Sequence, residues 1–150
     1  MKLGVIGLGN PLRGDDAIGI VIIEELKKYK FDNDIELIDG GEGGFNILHH
    51  LQRFTKVLIV DAVDFGGNVG ETKVFNINDT FFENLHLSTH DINICKIADI
   101  LRILGEIPEI FIFGIQPKNM NYVEGLSSDI NVKKITDEAY RIIRNLRNNL

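Results

Sequence analysis

Short apolar runs alternate with segments of helical periodicity along this sequence of 150 residues. The apolar runs predict four strands, at residues 2–6, at "IELID" ending with Asp39, at "KVLIVDA" and at "EIFIFGI". The run "KVLIVDA" is continuously apolar, which is typical of a strand buried on both faces. Strands that alternate with helices predict an α/β fold: a three-layer sandwich with a twisted, mostly parallel sheet of about five strands and helices on both faces.

Four helices are predicted between and after these strands. They span about residues 15–29, about residues 45–53, a segment from just after "LSTHD" to near Gly105, and about residue 128 to the last residue. The stretch "VDFGGNVGETKVFNI" predicts a glycine-rich loop that leads into an edge strand with alternating side chains.

Composition predicts one cytoplasmic domain spanning residues 1–150. The 22 acidic residues outnumber the 16 basic ones, and the net charge of −6 argues against electrostatic binding to nucleic acid. A single cysteine, Cys95, excludes an internal disulfide and favours a reducing compartment. The amino-terminal residues lack the pattern of a signal peptide, and the apolar runs are too short for membrane insertion.

Polar residues follow the predicted strands at the edge where ligands bind in parallel α/β sheets. Asp16 follows the first strand, Asp61 lies at the carboxyl end of the "KVLIVDA" strand, and His90 begins the third helix. The carboxyl ends of the strands share one edge of such a sheet, so we expect these three side chains to converge there. Two carboxylates and an imidazole are a suitable ligand set for a borderline divalent metal.

Each of these residues also has a purely structural explanation. Asp15 and Asp16 are favoured at the start of a helix by capping and by the helix dipole, and Asp61 could cap a neighbouring loop. His90 lies inside a possible capping box, "STHD", as an ordinary first-turn residue. The remaining histidines, His49 and His50 in an amphipathic helix and His86 in a loop, are expected to be structural or on the surface.

The glycine-rich opening "GLGNPLRGDD" has two other functional interpretations, a dinucleotide-binding loop and the start of a peptidyl-tRNA hydrolase. A dinucleotide-binding loop requires G-x-G-x-x-G, but Leu12 stands at the third glycine position, and Asp15 and Asp16 would repel a pyrophosphate. Asp39, at the end of the second strand, is nevertheless placed as a ribose-binding acid would be. The letters "GLGNP" resemble the start of bacterial-type peptidyl-tRNA hydrolases, yet the catalytic histidine expected shortly after them is missing here.

Five motifs in order resemble the [NiFe]-hydrogenase maturation endopeptidases. They are the opening Gly7-x-Gly9-Asn10-x-Leu12-x-x-Asp15-Asp16-x-x-Gly19, then "LIDGGEGG", "LIVDAVDFGGNVGE", "LSTHDI" and "FGIQP". The last three are most similar to the branch that processes formate hydrogenlyase-type, energy-converting hydrogenases. Position 17 departs from the pattern, with alanine where many members have glycine.

This resemblance implies a protease that removes the carboxy-terminal extension of a hydrogenase large-subunit precursor after nickel insertion. The nickel-contacting residues of the family correspond to Asp16, Asp61 and His90, and Asp16 and Asp61 are the implied catalytic carboxylates. The nickel is carried by cysteines of the precursor rather than held as a resident cofactor. Asp15 is expected to act as a cap or to support its neighbour. A metal-dependent module that holds the precursor without cutting it is the non-enzymatic alternative.

Further residues are expected to border the same cleft. Asp39 ends the second strand, Gly40 and Gly41 follow it, and Gln116 follows the fourth strand. The glycines would let an extended substrate tail approach the backbone, which predicts that all four residues contact the substrate. Shaping of the loops alone is the competing explanation.

Overall fold

A computed structural model of the chain describes residues 2–42, 46–77, 86–87, 99–105 and 108–149. The strands are β1 (Leu3–Gly7), β2 (Ile35–Asp39), β3 (Lys56–Asp64), β4 (Thr72–Asn76), β5 (His86–Leu87) and β6 (Glu109–Ile115). The helices are a 3-10 turn at Gly14–Ala17, α1 (Ile18–Leu26), α2 (Asn46–Leu51), α3 (helical residues 99–104) and α4 (Val132–Asn148).

The sheet has the order β2-β1-β3-β6-β4. The first four strands of this order are parallel, whereas β4 runs antiparallel to β6 at the edge. β5 adds a short antiparallel pairing to the end of β3. The predicted mostly parallel sheet and the predicted edge strand are therefore confirmed.

Two apolar layers cover the two faces of the sheet. On one face, Leu58 and Val60 of β3 pack with α1 and α4. On the other face, Val57 and Ile59 of the same strand pack with α2 and with Leu101 of α3. Successive side chains of a strand point to opposite faces, so a continuously apolar strand fills both layers.

The first and last helices differ from their predicted limits. The first begins as a 3-10 turn, in which the Asp16 N–H donates to the Arg13 carbonyl at 3.0 Å, and its α-helical part ends at Leu26. Residues 27–29 continue as turns, with the Tyr29 N–H donating to the carbonyl of Leu26. The last helix starts at Val132 rather than near residue 128, because the Asn131 side chain caps it by accepting from the Lys134 N–H.

β5 was not predicted, and the placement of His86 in a loop is wrong. His86 pairs with Asp64, because β3 continues through Val63 to Asp64, past Ala62, where the predicted strand ends. A strand of two residues has no alternation that a sequence pattern can reveal. His90, Cys95, the capping box at residues 88–91 and the starts of the second and third predicted helices lie outside the described residues. Every helix in the described ranges is too short or too polar to cross a membrane.

Candidate active site

The ends of β1 and β3 lie side by side at the carboxyl edge of the sheet. Gly7 is in register with Val60, and the Leu8 N–H donates to the Val60 carbonyl at 2.9 Å. Asp61 follows Val60 directly, so its position is adjacent to the point where the chain leaves β1. This arrangement is dictated by the parallel pairing of two buried strands.

The 3-10 turn brings Asp16 back to this edge. A Cβ atom added at Gly9 would lie 2.1 Å from the Asp16 carbonyl oxygen, and one at Gly19 would lie 2.3 Å from the Val60 carbonyl oxygen. Only glycine permits approaches this close between backbone segments. The glycines of the opening motif therefore press the turn and α1 against the ends of β1 and β3.

Asp16 is fully buried. Its Oδ2 accepts a hydrogen bond from the Asn10 N–H at 3.2 Å and lies 4.0 Å from Nη1 of Arg13. The Asn10 side chain organises the same loop, because its Oδ1 accepts from the Leu12 N–H and its Nδ2 donates to Glu42. Asn10 thus links the loop after β1 to the loop after β2 through its side chain, and its backbone N–H binds Asp16.

Asp61 is also fully buried. Its Oδ1 accepts from the N–H of Ala62 at 2.8 Å, and its backbone is in register with Gly114 of β6. The structure therefore places two buried carboxylates, those of Asp16 and Asp61, at adjacent strand ends.

Asp15 contacts a different loop from its neighbour. Its carboxylate accepts hydrogen bonds from the N–H groups of Lys118, Asn119 and Ser127 and from the Ser127 hydroxyl, at 2.6–2.9 Å. Burial alone would raise the pKa of Asp15, but these hydrogen bonds outweigh it and hold the pKa below the usual value of 3.8. Asp15 consequently ties the 3-10 turn to the loop between β6 and α4, as expected of a supporting residue.

The third predicted metal ligand, His90, lies outside the described residues. Within the described part of the chain, no three His, Cys, Asp or Glu residues are grouped so that they could hold a metal ion. The ligand set Asp16, Asp61 and His90 therefore stays a prediction.

The loop after β2 lies directly beside the loop after β1. The Gly40 N–H donates to the Gly7 carbonyl and the Gly9 N–H to the Gly41 carbonyl, both at 2.8 Å, while the Asp39 carboxylate accepts from the Gly41 N–H. The space beside the Gly40 Cα atom is occupied by apolar side chains of the β1 region, whereas no described atom lies within 4 Å of a Cβ built on Gly41. Contact of these three residues with a substrate stays a prediction.

Gln116 holds the loop that follows β3. Its Oε1 accepts from the Phe65 N–H at 2.9 Å and from the Gly67 N–H at 3.1 Å, and its Nε2 donates to Oδ1 of Asp64. This buried amide therefore orders the segment that continues from Asp61. Its predicted contact with a substrate remains untested.

Two residues of this region were not predicted from the sequence. Arg13 lies beside Asp16, and its position three residues before Asp16 within the opening motif was the available signal. Ser127, which binds Asp15, is 112 residues away from it in the chain and has no local signal. Large apolar side chains are also exposed on the same two loops, with Leu12 69% and Tyr122 77% accessible.

Comparison with known proteins decides the family. The HycI family profile, described as hydrogenase maturation protease, matches residues 20–145. The chain belongs to the hydrogenase maturation protease family. It is 28% identical over 135 residues to the hydrogenase 2 maturation protease of Escherichia coli, covering 87% of this chain and 82% of that protein. Its fold matches the hydrogenase maturating endopeptidase HybD of E. coli with a TM-score of 0.85 and 25% identity, over 97% of this chain and 93% of that one.

The branch within the family is only suggested. The matching profile carries the name HycI, but the structure of HycI from Thermococcus kodakarensis superposes with a TM-score of 0.73 at 27% identity, covering 95% of this chain and 89% of that one. The E. coli HybD structure thus superposes more closely than this HycI structure. The match to the first curated relatives, hydrogenase expression/formation proteins, spans 57–59% of their lengths.

Proposed function

We propose that this chain is an endopeptidase that removes the carboxy-terminal extension of a hydrogenase large-subunit precursor after nickel has been inserted. The observation that supports this most directly is the pair of buried carboxylates, Asp16 and Asp61, at adjacent strand ends in a member of a protease family. Peptide hydrolysis needs a base for the attacking water, and a buried carboxylate beside the scissile bond can take that proton.

The chemistry of the described donors suits a cation delivered by the precursor. Asp16 and Asp61 offer carboxylate oxygens, and His90 is the proposed nitrogen ligand, which together form a set that accepts a borderline divalent metal such as nickel. When bound, the metal would polarise the scissile carbonyl and acidify a water molecule. The chain's own residues bind the loaded precursor, orient its extension along the carboxyl edge of the sheet and accept the proton at Asp16 or Asp61.

The loops that flank Asp16 suit a protein substrate. Leu12, Tyr122 and Val123 expose apolar surface on the loops after β1 and β6, and Arg13 lies between Asp16 and Tyr122. Tyrosine and arginine are enriched among the residues that contribute most to protein–protein binding. A folded precursor that brings its extension to Asp16 therefore meets an apolar surface on the way.

The competing functions are disfavoured by the same site. The start of α1 follows two buried aspartates, Asp15 and Asp16, where a dinucleotide-binding protein would receive a pyrophosphate. An esterase acting on peptidyl-tRNA would need the missing histidine and a surface less acidic than the net charge of −6 provides. A non-cleaving checkpoint for the loaded precursor is the remaining alternative.

Isosteric variants of the two carboxylates test the proposal. A nickel-loaded precursor would be incubated with the wild-type protein, Asp16→Asn, Asp61→Asn and the control Asp129→Asn, and its intact mass measured over time. Asp129 is an exposed carboxylate paired with Lys118 at 3.8 Å, so the control changes the same chemical group at an exposed position of the loop between β6 and α4. We expect processing rates of Asp16→Asn and Asp61→Asn to fall by about 100-fold or more, as when a general base is lost.

Four outcomes would contradict this account. Unchanged processing by Asp16→Asn would exclude a ligand or base role for that carboxylate. Tight binding of the precursor by the wild-type protein without loss of mass would favour the checkpoint. Thermal stabilisation by NAD or NADP, or release of peptide from peptidyl-tRNA, would favour one of the other two functions.

A further inference from the structure

Arg13 is held in a fixed position beside Asp16. Its Nη1 lies 4.0 Å from Asp16 Oδ2, its Nε donates to the Met120 carbonyl at 3.1 Å, and its guanidinium lies 5.5 Å from the centre of the Tyr122 ring. The side chain is 22% exposed, whereas that of Asp16 is not exposed at all. Contacts on three sides therefore orient this cation toward the buried carboxylate.

The loop that orients Arg13 is itself anchored to the 3-10 turn. The N–H groups of Gly14 and Asp15 donate to the carbonyls of Val123 and Asn119, at 2.9 and 2.7 Å. The carboxylate of Asp15 adds hydrogen bonds from Lys118, Asn119 and Ser127. Arg13 and Asp16 thus belong to one hydrogen-bonded assembly, which keeps the two side chains close together.

Arg13 and Asp16 interact electrostatically rather than through a hydrogen bond. A separation of 4.0 Å is longer than a hydrogen bond, but two charges at this distance interact strongly when one of them is buried away from water. A bare divalent cation approaching Asp16 would be repelled by the guanidinium. A metal already coordinated by two or more thiolates is neutral or negatively charged as a complex, so the same guanidinium does not oppose it.

We propose that Arg13 determines the metal specificity of this site: it discriminates against free divalent ions and favours metal presented by thiolates of the precursor. The preference for metal presented by thiolates rests on the proposed function. It also gives a physical reason for the metal to be cargo of the substrate rather than a resident cofactor, because Arg13 already supplies a positive charge at Asp16.

The experiment measures binding of free Ni²⁺ to the purified protein by titration calorimetry near neutral pH. The variants are Arg13→Gln, Arg13→Lys and the control Arg53→Gln. Arg53 lies 5.2 Å from the Phe54 ring centre and 2.6 Å from a carboxylate oxygen of Glu36, so this control removes an arginine with the same two kinds of contact and the same charge. A double variant, Arg13→Gln with Asp16→Asn, reports where any additional ion binds.

We expect Arg13→Gln to bind Ni²⁺ about tenfold more tightly than the wild-type protein, because a neighbouring positive charge is removed. Arg13→Lys keeps the charge and should remain close to wild type, as should Arg53→Gln. The gain should disappear in the double variant. Equal affinities of Arg13→Gln and Arg53→Gln, or a gain that survives Asp16→Asn, would overturn the proposal.

Processing of the nickel-loaded precursor, measured in parallel, separates this inference from the proposed function. If the wild-type protein cleaves the precursor but Arg13→Gln does not gain affinity for Ni²⁺, the specificity role of Arg13 fails alone. If Arg13→Gln gains affinity but the wild-type protein does not cleave a verified precursor, the proposed function fails while the effect of Arg13 on Asp16 stands. Free Ni²⁺ should also inhibit processing by Arg13→Gln at lower concentrations than processing by the wild-type protein.

Discussion

Asp15 and Asp16 are neighbours in the sequence, but their carboxylates have different surroundings. Both oxygens of Asp15 accept hydrogen bonds from the loop between β6 and α4. Asp16 instead contacts the Asn10 N–H and the charge of Arg13, at the edge where β1 and β3 end. Asp15 therefore ties the 3-10 turn to a distant loop, whereas Asp16 lies at the strand ends where the proposed chemistry would take place.

Replacing Asp15 by asparagine should destabilise the protein in a pH-dependent way. The folded state holds the pKa of Asp15 below its usual 3.8, so its contribution is complete above that pH and is lost as the pH falls through the folded value. Because an amide cannot satisfy all the donors around Asp15, we expect a loss of about 2–4 kcal/mol in the free energy of unfolding near pH 7. Urea denaturation of both proteins between pH 7 and pH 3 measures the difference.

The difference in the free energy of unfolding between the wild-type protein and Asp15→Asn should become smaller once the pH drops below the usual pKa of the carboxyl group. Asp129→Asn, which alters an exposed ion pair on the same loop, should change the stability by less than about 1 kcal/mol at any pH. If Asp15→Asn lowered the free energy of unfolding by the same amount at every pH, the interpretation of Asp15 as a buried, ionised carboxylate would be contradicted.

At the scale of elements, the site depends on how closely α1 approaches the ends of two strands. Gly19 is the point of contact, since a Cβ there would lie 2.2 Å from the Leu8 carbonyl oxygen and 2.3 Å from that of Val60. Both neighbours are backbone atoms in the sheet and its continuation, so neither can move aside easily. The 3-10 turn with Asp16 precedes α1 directly and would shift with it.

Gly19→Ala should therefore destabilise the fold and displace Asp16. We expect a loss of about 3 kcal/mol in the free energy of unfolding, in the range of other overpacked sites, together with slower processing of the precursor. Gly125→Ala is the control: its φ of +85° makes alanine unfavourable, but no described atom lies within 4 Å of the added Cβ. Urea denaturation distinguishes the two, and a Gly19→Ala protein as stable as the wild type would contradict the packing argument.

Gln116 connects β6 to the loop that follows β3. Gln116→Ala would leave the N–H groups of Phe65 and Gly67 without their acceptor. Their amide hydrogens should then exchange with solvent at least about tenfold faster in NMR experiments, because exchange follows local opening. Gln52→Ala, at an exposed position after α2, is the control and should leave these two amides unchanged. Exchange of Phe65 and Gly67 that is unaffected by Gln116→Ala would show that the amide does not order this loop.

For the molecule as a whole, the sequence was sufficient to predict the layers of the fold but not every contact between them. The continuous apolar run in β3 and the segments of helical periodicity between the strands predicted a sheet with helices on both faces, because a strand buried on two faces is apolar throughout. A second rule, that the carboxyl ends of parallel strands share one edge of the sheet, placed Asp16 and Asp61 together. β5 escaped prediction because two residues have no period, and Ser127 because its link to Asp15 spans 112 residues of chain. The Arg13–Asp16 pair required the structure, since sequence spacing alone does not show where a side chain is anchored.

The most direct test of the central claim is the intact mass of a cognate hydrogenase large-subunit precursor after incubation with this protein, with and without nickel loaded. The proposed function predicts loss of a carboxy-terminal peptide from the nickel-loaded precursor only. Loss from both forms would retain the protease but contradict recognition of the metal. No loss from a verified, nickel-loaded cognate precursor would contradict the protease function itself.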